Sequence, residues 1–325
     1  MNSIFLKNQQ GVALLTALLV VSLATITVVG MVTKQRVAIR RSANFFSHDQ
    51  SYLMALGGES WARGVLSRDG SESTIDGLSE DWAQELPPMP VTGGEVSGRI
   101  EDLQGRFNLN NLIKDGKVSE KDLALFKRLL TTLELDSSLA DVVVDWLDAD
   151  QDMTEPGGLE ELFYLGLSSP IRPGDQPLKS VTELRLMEGM SVLVDVVEEE
   201  SGTGEQETIY DRLTPLVTVL PEWTAININT APQELLMALG EEITRGDAES
   251  LVSSREMEEF ASVSDFIANE ALAGRTLEED LLAVSSSYFG VQGDVRIGDG
   301  HLRLKSLIHR DSDKTKVLSR EQGRL

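Results

Sequence analysis

The chain has 325 residues, 41% hydrophobic and 25% charged, which suits about one to three folded domains and excludes wholesale disorder. With 29 Lys and Arg against 53 Asp and Glu, the formal charge is −24, which disfavours nucleic acid and anionic surfaces except where a local basic patch overrides the total. The absence of cysteine excludes disulfides, iron–sulfur clusters and Cys-type zinc sites, and His48, His301 and His309 are too scattered for a histidine metal cluster.

The N-terminus reads as an address. Residues 8–33 carry no charge, and the apolar run Val12–Val32 spans ~32 Å as a helix, about one hydrocarbon core. It is longer than the ~7–15 residues of a secretory h-region and ends without a small-x-small cleavage site, which favours a permanent single-pass helix. Lys34, Arg36, Arg40 and Arg41 follow the run against one Lys before it, so the positive-inside rule alone puts the C-terminal side in the cytoplasm. The short polar leader ending Gln9-Gln10-Gly11 resembles the class III leader of type IV pilin-like proteins, which a prepilin peptidase cuts after the glycine. That resemblance implies Val12 as the mature N-terminus and an outward C-terminal side. It also makes Thr16 stand where most of that superfamily has a glutamate.

The helical pattern continues to about Arg68 as an amphipathic stem, with Ile39, Ala43, Phe46, Leu53, Leu56, Trp61, Ala62 and Leu66 as its apolar positions and a potential kink at Gly57-Gly58. Residues 69–93 read as a loop in which Pro87-Pro88-Met89-Pro90 is extended. Alternation over 95–113 predicts a β-hairpin, and three antiparallel strands are expected in 288–297, 301–308 and 314–320, the first two joined by Gly298-Asp-Gly300. Between these strand regions, residues 114–284 read as mostly helix. Starts are predicted at Ser119 with Asp122, Ser180 with Glu183, Thr230 with Gln233 and Ser262 with Asp265, and a flexible loop at 196–206.

The fold class is therefore α+β: a membrane and stem helix, then an antiparallel sheet split by a large helical insertion. The expected segments are a leader (1–11), a transmembrane helix (12–33), the stem with the first strands (34–113), the insertion (114–284) and the C-terminal strands (285–325). An internal echo links Asn108-Leu-Asn110 and Ser180 with Asn227-Ile-Asn229 and Ser262, at unequal offsets. Duplication and coincidence between capped helices both remain open.

Two constellations stand out. The first is Asp145-Trp-Leu-Asp148-Ala-Asp150-Gln-Asp152, followed by Glu155, Gly157, Gly158, Glu160 and Glu161. Alternating carboxylates in a Gly/Pro loop can converge on a hard cation, and Ca²⁺ tolerates irregular oxygen geometry better than Mg²⁺. Counted from Asp148 the sixth EF-hand position is Met153 and the twelfth Leu159, counted from Asp150 the twelfth is Glu161 but the sixth is again not glycine, and a solvated acidic loop fits the spacing equally well. The second, Ile226-Asn-Ile-Asn-Thr230-Ala-Pro232 with the segment to Arg255, looks like a helix-hairpin-helix. Its Gly240-Glu-Glu hairpin lacks an anion nest, so a compact packing unit is favoured over DNA binding. Catalysis finds no support: a Ser-His-Asp arrangement, a zincin motif, a P-loop and a dinucleotide fingerprint are all missing from the sequence.

Taken together, these segments resemble the minor pseudopilin of type II secretion, the general secretion pathway protein K family. The resemblance rests on the leader at Gly11, Thr16, residues 43–58, Gly105-Arg-Phe-Asn-Leu-Asn-Asn-Leu112, Asp145 to Asp150, Gly157 to Glu161, Val181 to Leu186, Leu216 to Pro221, Asn227 to Pro232 and Lys305 to Ile308. It implies a non-enzymatic subunit in the inner membrane with a periplasmic domain, whose insertion binds structural calcium. For that calcium, Asp148, Asp150, Asp152, Glu160 and Glu161 are the candidate ligands and Asp145 a supporting carboxylate. It implies a place at the pseudopilus tip with minor pseudopilins I and J, H below, and dealings with prepilin peptidase, the inner-membrane secretion platform and secreted substrates. The competing reading is a membrane-anchored DNA-uptake receptor using the helix-hairpin-helix.

Overall fold

The computed structural model describes residues 10–195, 206–298 and 300–323. The leader residues 1–9, most of the loop expected at 196–206 and Asp299 of the expected turn lie outside them. The chain opens with one helix, α1 (Gln10–Glu72), unbroken through Gly57-Gly58. Its Val12–Val32 part is exposed along its length, as suits a segment whose solvent is lipid.

Further along, α1 packs on a sheet, and the buried stripe is Ser51, Ala55, Glu59, Ala62 and Leu66. The spacing is helical, and the small residues let the helix axis approach the strands. This differs from the apolar stripe the sequence suggests: Phe46, Leu53 and Trp61 face outward and are more than half exposed. Glu59 takes a core position because Arg320 clasps its carboxylate at 2.6 and 2.8 Å and the Ser306 hydroxyl donates to it at 2.7 Å. Those partners hold its pKa below the usual range against the effect of burial.

After α1 come β1 (Leu86–Val91) and β2 (Gly94–Asp102), antiparallel and joined at Gly93, whose φ of 88° suits glycine. The predicted hairpin thus lies earlier in the chain than 95–113. Pro87, Pro88 and Pro90 are accommodated because β1 is an edge strand, with a register irregularity between Leu86 and Met89. The remaining sheet strands are β11 (Tyr288–Ile297), β12 (Gly300–Asp311) and β13 (Lys314–Gly323), where the alternation places them. The order is β1-β2-β11-β12-β13, so residues 103–287 are inserted between two neighbouring antiparallel strands. Leu66, Trp82, Ile100, Phe289 and Ile308 form the core under α1, and fully burying a side chain such as Leu66 contributes ~1.5–3 kcal/mol over leaving it exposed.

The insertion has its own, larger core around Phe107, Phe126, Trp146, Tyr164, Leu236 and Phe266. It is mainly helical: α2 (Glu120–Thr132), α3 (Leu139–Leu147), α4 (Glu161–Leu165), α5 (Ile209–Leu213), α6 (Gln233–Ala238), α7 (Arg245–Met257) and α8 (Val263–Ile267), with 3₁₀ turns. Two-residue parallel ladders join β3 (Phe107–Asn108) to β8 (Val217–Thr218) and β9 (Ile226–Asn227) to β10 (Leu282–Ala283). Short antiparallel ladders are β4 (Ile113–Lys114) with β5 (Lys117–Val118), and β6 (Leu193–Asp195) with β7 (Gln206–Thr208).

The sequence echo has a geometric counterpart. In each unit a two-residue strand ends in an asparagine whose side-chain oxygen accepts from the backbone N–H two residues on: Asn108 from Asn110, and Asn227 from Asn229. The second asparagine then grips both backbone groups of one distant residue. Asn110 holds Leu178 at 2.8 and 3.0 Å, and Asn229 holds Phe260 at 2.9 and 3.0 Å. Two residues beyond each gripped residue stands a side-chain helix cap, Ser180 or Ser262. The chain thus repeats one clamp, with the acidic segment interposed only in the first copy.

Candidate functional site: an acidic loop on the helical insertion

The loop departs from the C-terminus of α3, whose nine residues are all buried, so its start is fixed. Two carboxylates on α3 shape the chain that follows. Asp145 accepts from the Thr154 N–H at 3.0 Å, and Asp141 accepts from the Gly157 N–H at 3.3 Å while pairing with Lys127 at 2.7 Å. Gly158 lies so close that a Cβ there would sit 2.1 Å from the Asp145 Oδ2 and 2.5 Å from the Thr154 carbonyl. Glycine is required for that approach, not for an unusual φ.

The folding-back brings Asp148, Asp150 and Glu160 together, with one oxygen from each within 4.8 Å of the others. Glu160 is buried with neither carboxylate oxygen hydrogen-bonded, and Asp148 has one buried oxygen in the same condition. Burial first, then the mutual repulsion of Asp145, Asp148, Asp150 and Asp175, pushes the Glu160 pKa up to about 7. The same causes push Asp148 up to about 6. Buried carboxylate oxygens are ordinarily satisfied, so this group has the donor chemistry and the unmet demand of a site for a hard, oxygen-loving cation.

Of the five residues singled out in the sequence, two fall outside the cluster. Asp152 is exposed, and its backbone N–H caps Asp150 at 2.9 Å. Glu161 begins α4 and pairs with Arg172 at 3.2 Å. Asp175 is the acid that sequence spacing missed. It comes near because its N–H bonds the Trp146 carbonyl at 3.2 Å, a closure that local pattern does not encode.

The asparagine motif serves packing. Asn227 donates to Asp102 at 2.8 Å and to the Asp76 carbonyl at 3.0 Å, tying the insertion to the sheet. Thr230 is not a helix cap: its hydroxyl goes to Asp102 at 2.6 Å, and Pro232 occupies the N-cap position of α6. In the α6–α7 hairpin the start of α7 is filled by the chain's own Asp247, which accepts from Thr244 at 2.8 Å, and Glu241 and Glu242 are exposed beside it. Thr16 lies on exposed α1 and donates to the Ala13 carbonyl at 3.0 Å.

A helix long and apolar enough to cross a membrane continues as the spine of an antiparallel sheet, with a bulky insertion between two strands, an architecture that fits a subunit anchored by its N-terminal helix. Comparison with known proteins narrows this. Two family models described as type II secretion system (T2SS), protein K match residues 105–222 and 226–285. The type II secretion system protein K of Pseudomonas aeruginosa is 39% identical over 98% of this chain and 94% of its own length. That of Aeromonas hydrophila is 30% identical over 97% of both. Among solved structures, a chain in the crystal structure of the GspK–GspI–GspJ complex from the enterotoxigenic Escherichia coli type II secretion system superposes with a TM-score of 0.73. It is 25% identical, and the match covers 88% of this chain and 100% of that one. The chain belongs to the type II secretion system protein K family.

Proposed function

We propose that this subunit caps the tip of the type II secretion pseudopilus and nucleates its assembly with minor pseudopilins I and J, H lying below. The subunit acts structurally, with no chemical step of its own. It is anchored in the inner membrane with its sheet and insertion in the periplasm, after prepilin peptidase cuts between Gly11 and Val12 and hands it to the secretion platform. The observation that carries the reading is the insertion of 103–287 between adjacent strands of the sheet that packs on the stem. A helical filament repeats one subunit contact indefinitely, and a bulky insertion limits the subunit to a terminal position. Two features agree. Thr16 supplies no buried carboxylate that would need a subunit ahead of it. The stem also leaves Phe46, Leu53 and Trp61 exposed on the side away from the sheet, a face suited to the helices of neighbouring subunits.

Asp148, Asp150 and Glu160 hold a calcium ion, with Asp145 ordering the loop behind them. The bound ion supplies the positive charge that three converging carboxylates lack. Differential scanning calorimetry of the full chain in detergent tests this part. Calcium at a hundredfold excess over its dissociation constant adds ~2.7 kcal/mol to a folded state that alone binds it. The upward shift in Tm is lost in Glu160→Gln and is not reproduced by magnesium at equal concentration. An equal shift in parent and variant overturns the assignment of these ligands. For the tip, light scattering of the full chain with full-length I and J in detergent and calcium gives a one-to-one-to-one complex. Separate elution of the three refutes the tip reading.

A further inference from the structure

We propose that Lys34, Arg36, Arg40 and Arg41 form a collar that binds anionic phospholipid headgroups of the leaflet through which α1 leaves the bilayer. The proposal rests on the single-pass reading of α1. The uncharged, hydrophobic stretch ends at Thr33, so the four cations begin where the hydrocarbon ends. Lys34 to Arg41 spans about 10 Å along the axis, comparable to the ~5–8 Å headgroup layer on one side of a bilayer. All four are exposed, and among the described residues none forms an ion pair with a carboxylate of the chain. No acidic residue occurs between Val12 and His48, although acids outnumber bases 53 to 29 overall.

The distribution around the helix identifies the partner. At about 100° per residue, Lys34 and Arg41 share one face, and Arg36 and Arg40 lie roughly 100–160° round the helix from them. A neighbouring protein would present carboxylates to one face, whereas lipid surrounds the helix. The stem also keeps the acidic body away: α1 first buries a side chain against the sheet at Ser51, about 15 Å beyond Arg41. The outward basic residues, which conflict with the positive-inside rule for an outward C-terminal side, thus have a counter-charge at the surface they meet.

The test reconstitutes the full chain into vesicles of mixed phosphatidylcholine and phosphatidylglycerol. Carbonate extraction checks insertion, and the lipid that stays with the protein after mild detergent extraction is then quantified. The parent chain retains phosphatidylglycerol in preference to phosphatidylcholine, and the preference falls at high salt. Replacing all four cations by Gln leaves insertion intact and lowers retained phosphatidylglycerol at least about fivefold, the equivalent of one cation's headgroup attraction. Lys34→Gln with Arg41→Gln, and Arg36→Gln with Arg40→Gln, each remove part of it. Equal retention in parent and fourfold variant overturns the proposal. A loss confined to one of the two double variants overturns it in favour of a one-sided contact, and failure of the parent chain to insert refutes instead the membrane reading beneath it.

Discussion

Asp102 is the joint between sheet and insertion, and replacing it by alanine should loosen the two. It lies at the end of β2, buried, and accepts from the Gln104 N–H at 2.8 Å, Asn227 Nδ2 at 2.8 Å, the Thr230 hydroxyl at 2.6 Å and the Ser286 hydroxyl at 2.7 Å. In Asp102→Ala, Asn227 keeps the Asp76 carbonyl at 3.0 Å and Thr230 keeps a 3.4 Å contact with the Asn227 carbonyl. The Gln104 N–H and the Ser286 hydroxyl proton lose their acceptor. Two stranded buried donors cost ~1–3 kcal/mol each, so the variant loses ~2–6 kcal/mol. At ~2 °C per kcal/mol for a chain of this size, Tm falls by ~4–12 °C. Asp102→Asn costs less, because the Ser286 and Thr230 hydroxyls can turn from donating to accepting. Calorimetry of the full chain in detergent at fixed calcium reads the Tm, and limited proteolysis reads exposure of 103–107 and 284–287. A Tm for Asp102→Ala within about 1 °C of the parent, with unchanged cleavage, would refute the reasoning.

Gly158→Ala drives a methyl into the Asp145 carboxylate and the Thr154 carbonyl, so the loop must open. A loss of ~1–3 kcal/mol and a weaker calcium-dependent rise in Tm are expected, and an unchanged calcium response speaks against the folding-back of the loop. At the end of α1, burial foremost, with Glu80 and Asp76 adding repulsion against the pull of Arg310, pushes the Asp69 pKa up to about 6. The sign follows from the folded value exceeding the unfolded one of about 3.9: the charged form weakens the fold above pH 6, and protonation relieves this as pH falls from 6 towards 4. Asp69→Asn is therefore most favourable, relative to the parent, at pH 7.5 and loses that advantage progressively as pH falls from about 6 to about 4. A Tm difference independent of pH counts against it.

Much of the architecture is legible in the residues, because each part is locally patterned. The uncharged run at 12–33 specifies a spanning helix, period-two alternation specifies β11 to β13, and Ser180 and Ser262 announce helix starts with an acid three residues on. What the sequence hides is long-range. The prolines of β1 read as an isolated extended piece because nothing local says that β2 lies beside them. Phe107 pairs with Val217, a contact across more than a hundred residues that no hairpin signal can announce. In the acidic loop the composition is plain, but membership of the cluster is decided by backbone closure. Asp145 and Gly158 fold Glu160 inward, Arg172 draws Glu161 away, and Trp146 brings Asp175 near.

The asparagine clamp has a consequence for how the molecule can change. In the second unit α7 runs almost directly into the gripped Phe260, with only Glu258 and Glu259 between. In the first unit residues 148–177 stand between α3 and the gripped Leu178, yet Asn110 makes the same two bonds. Each doubling of a flexible loop costs only ~0.6 kcal/mol in closure entropy. A fixed clasp at the far end therefore makes the exposed stretch 149–153 the place where the acidic segment can change length, while buried Tyr164 keeps the remainder bound to the core.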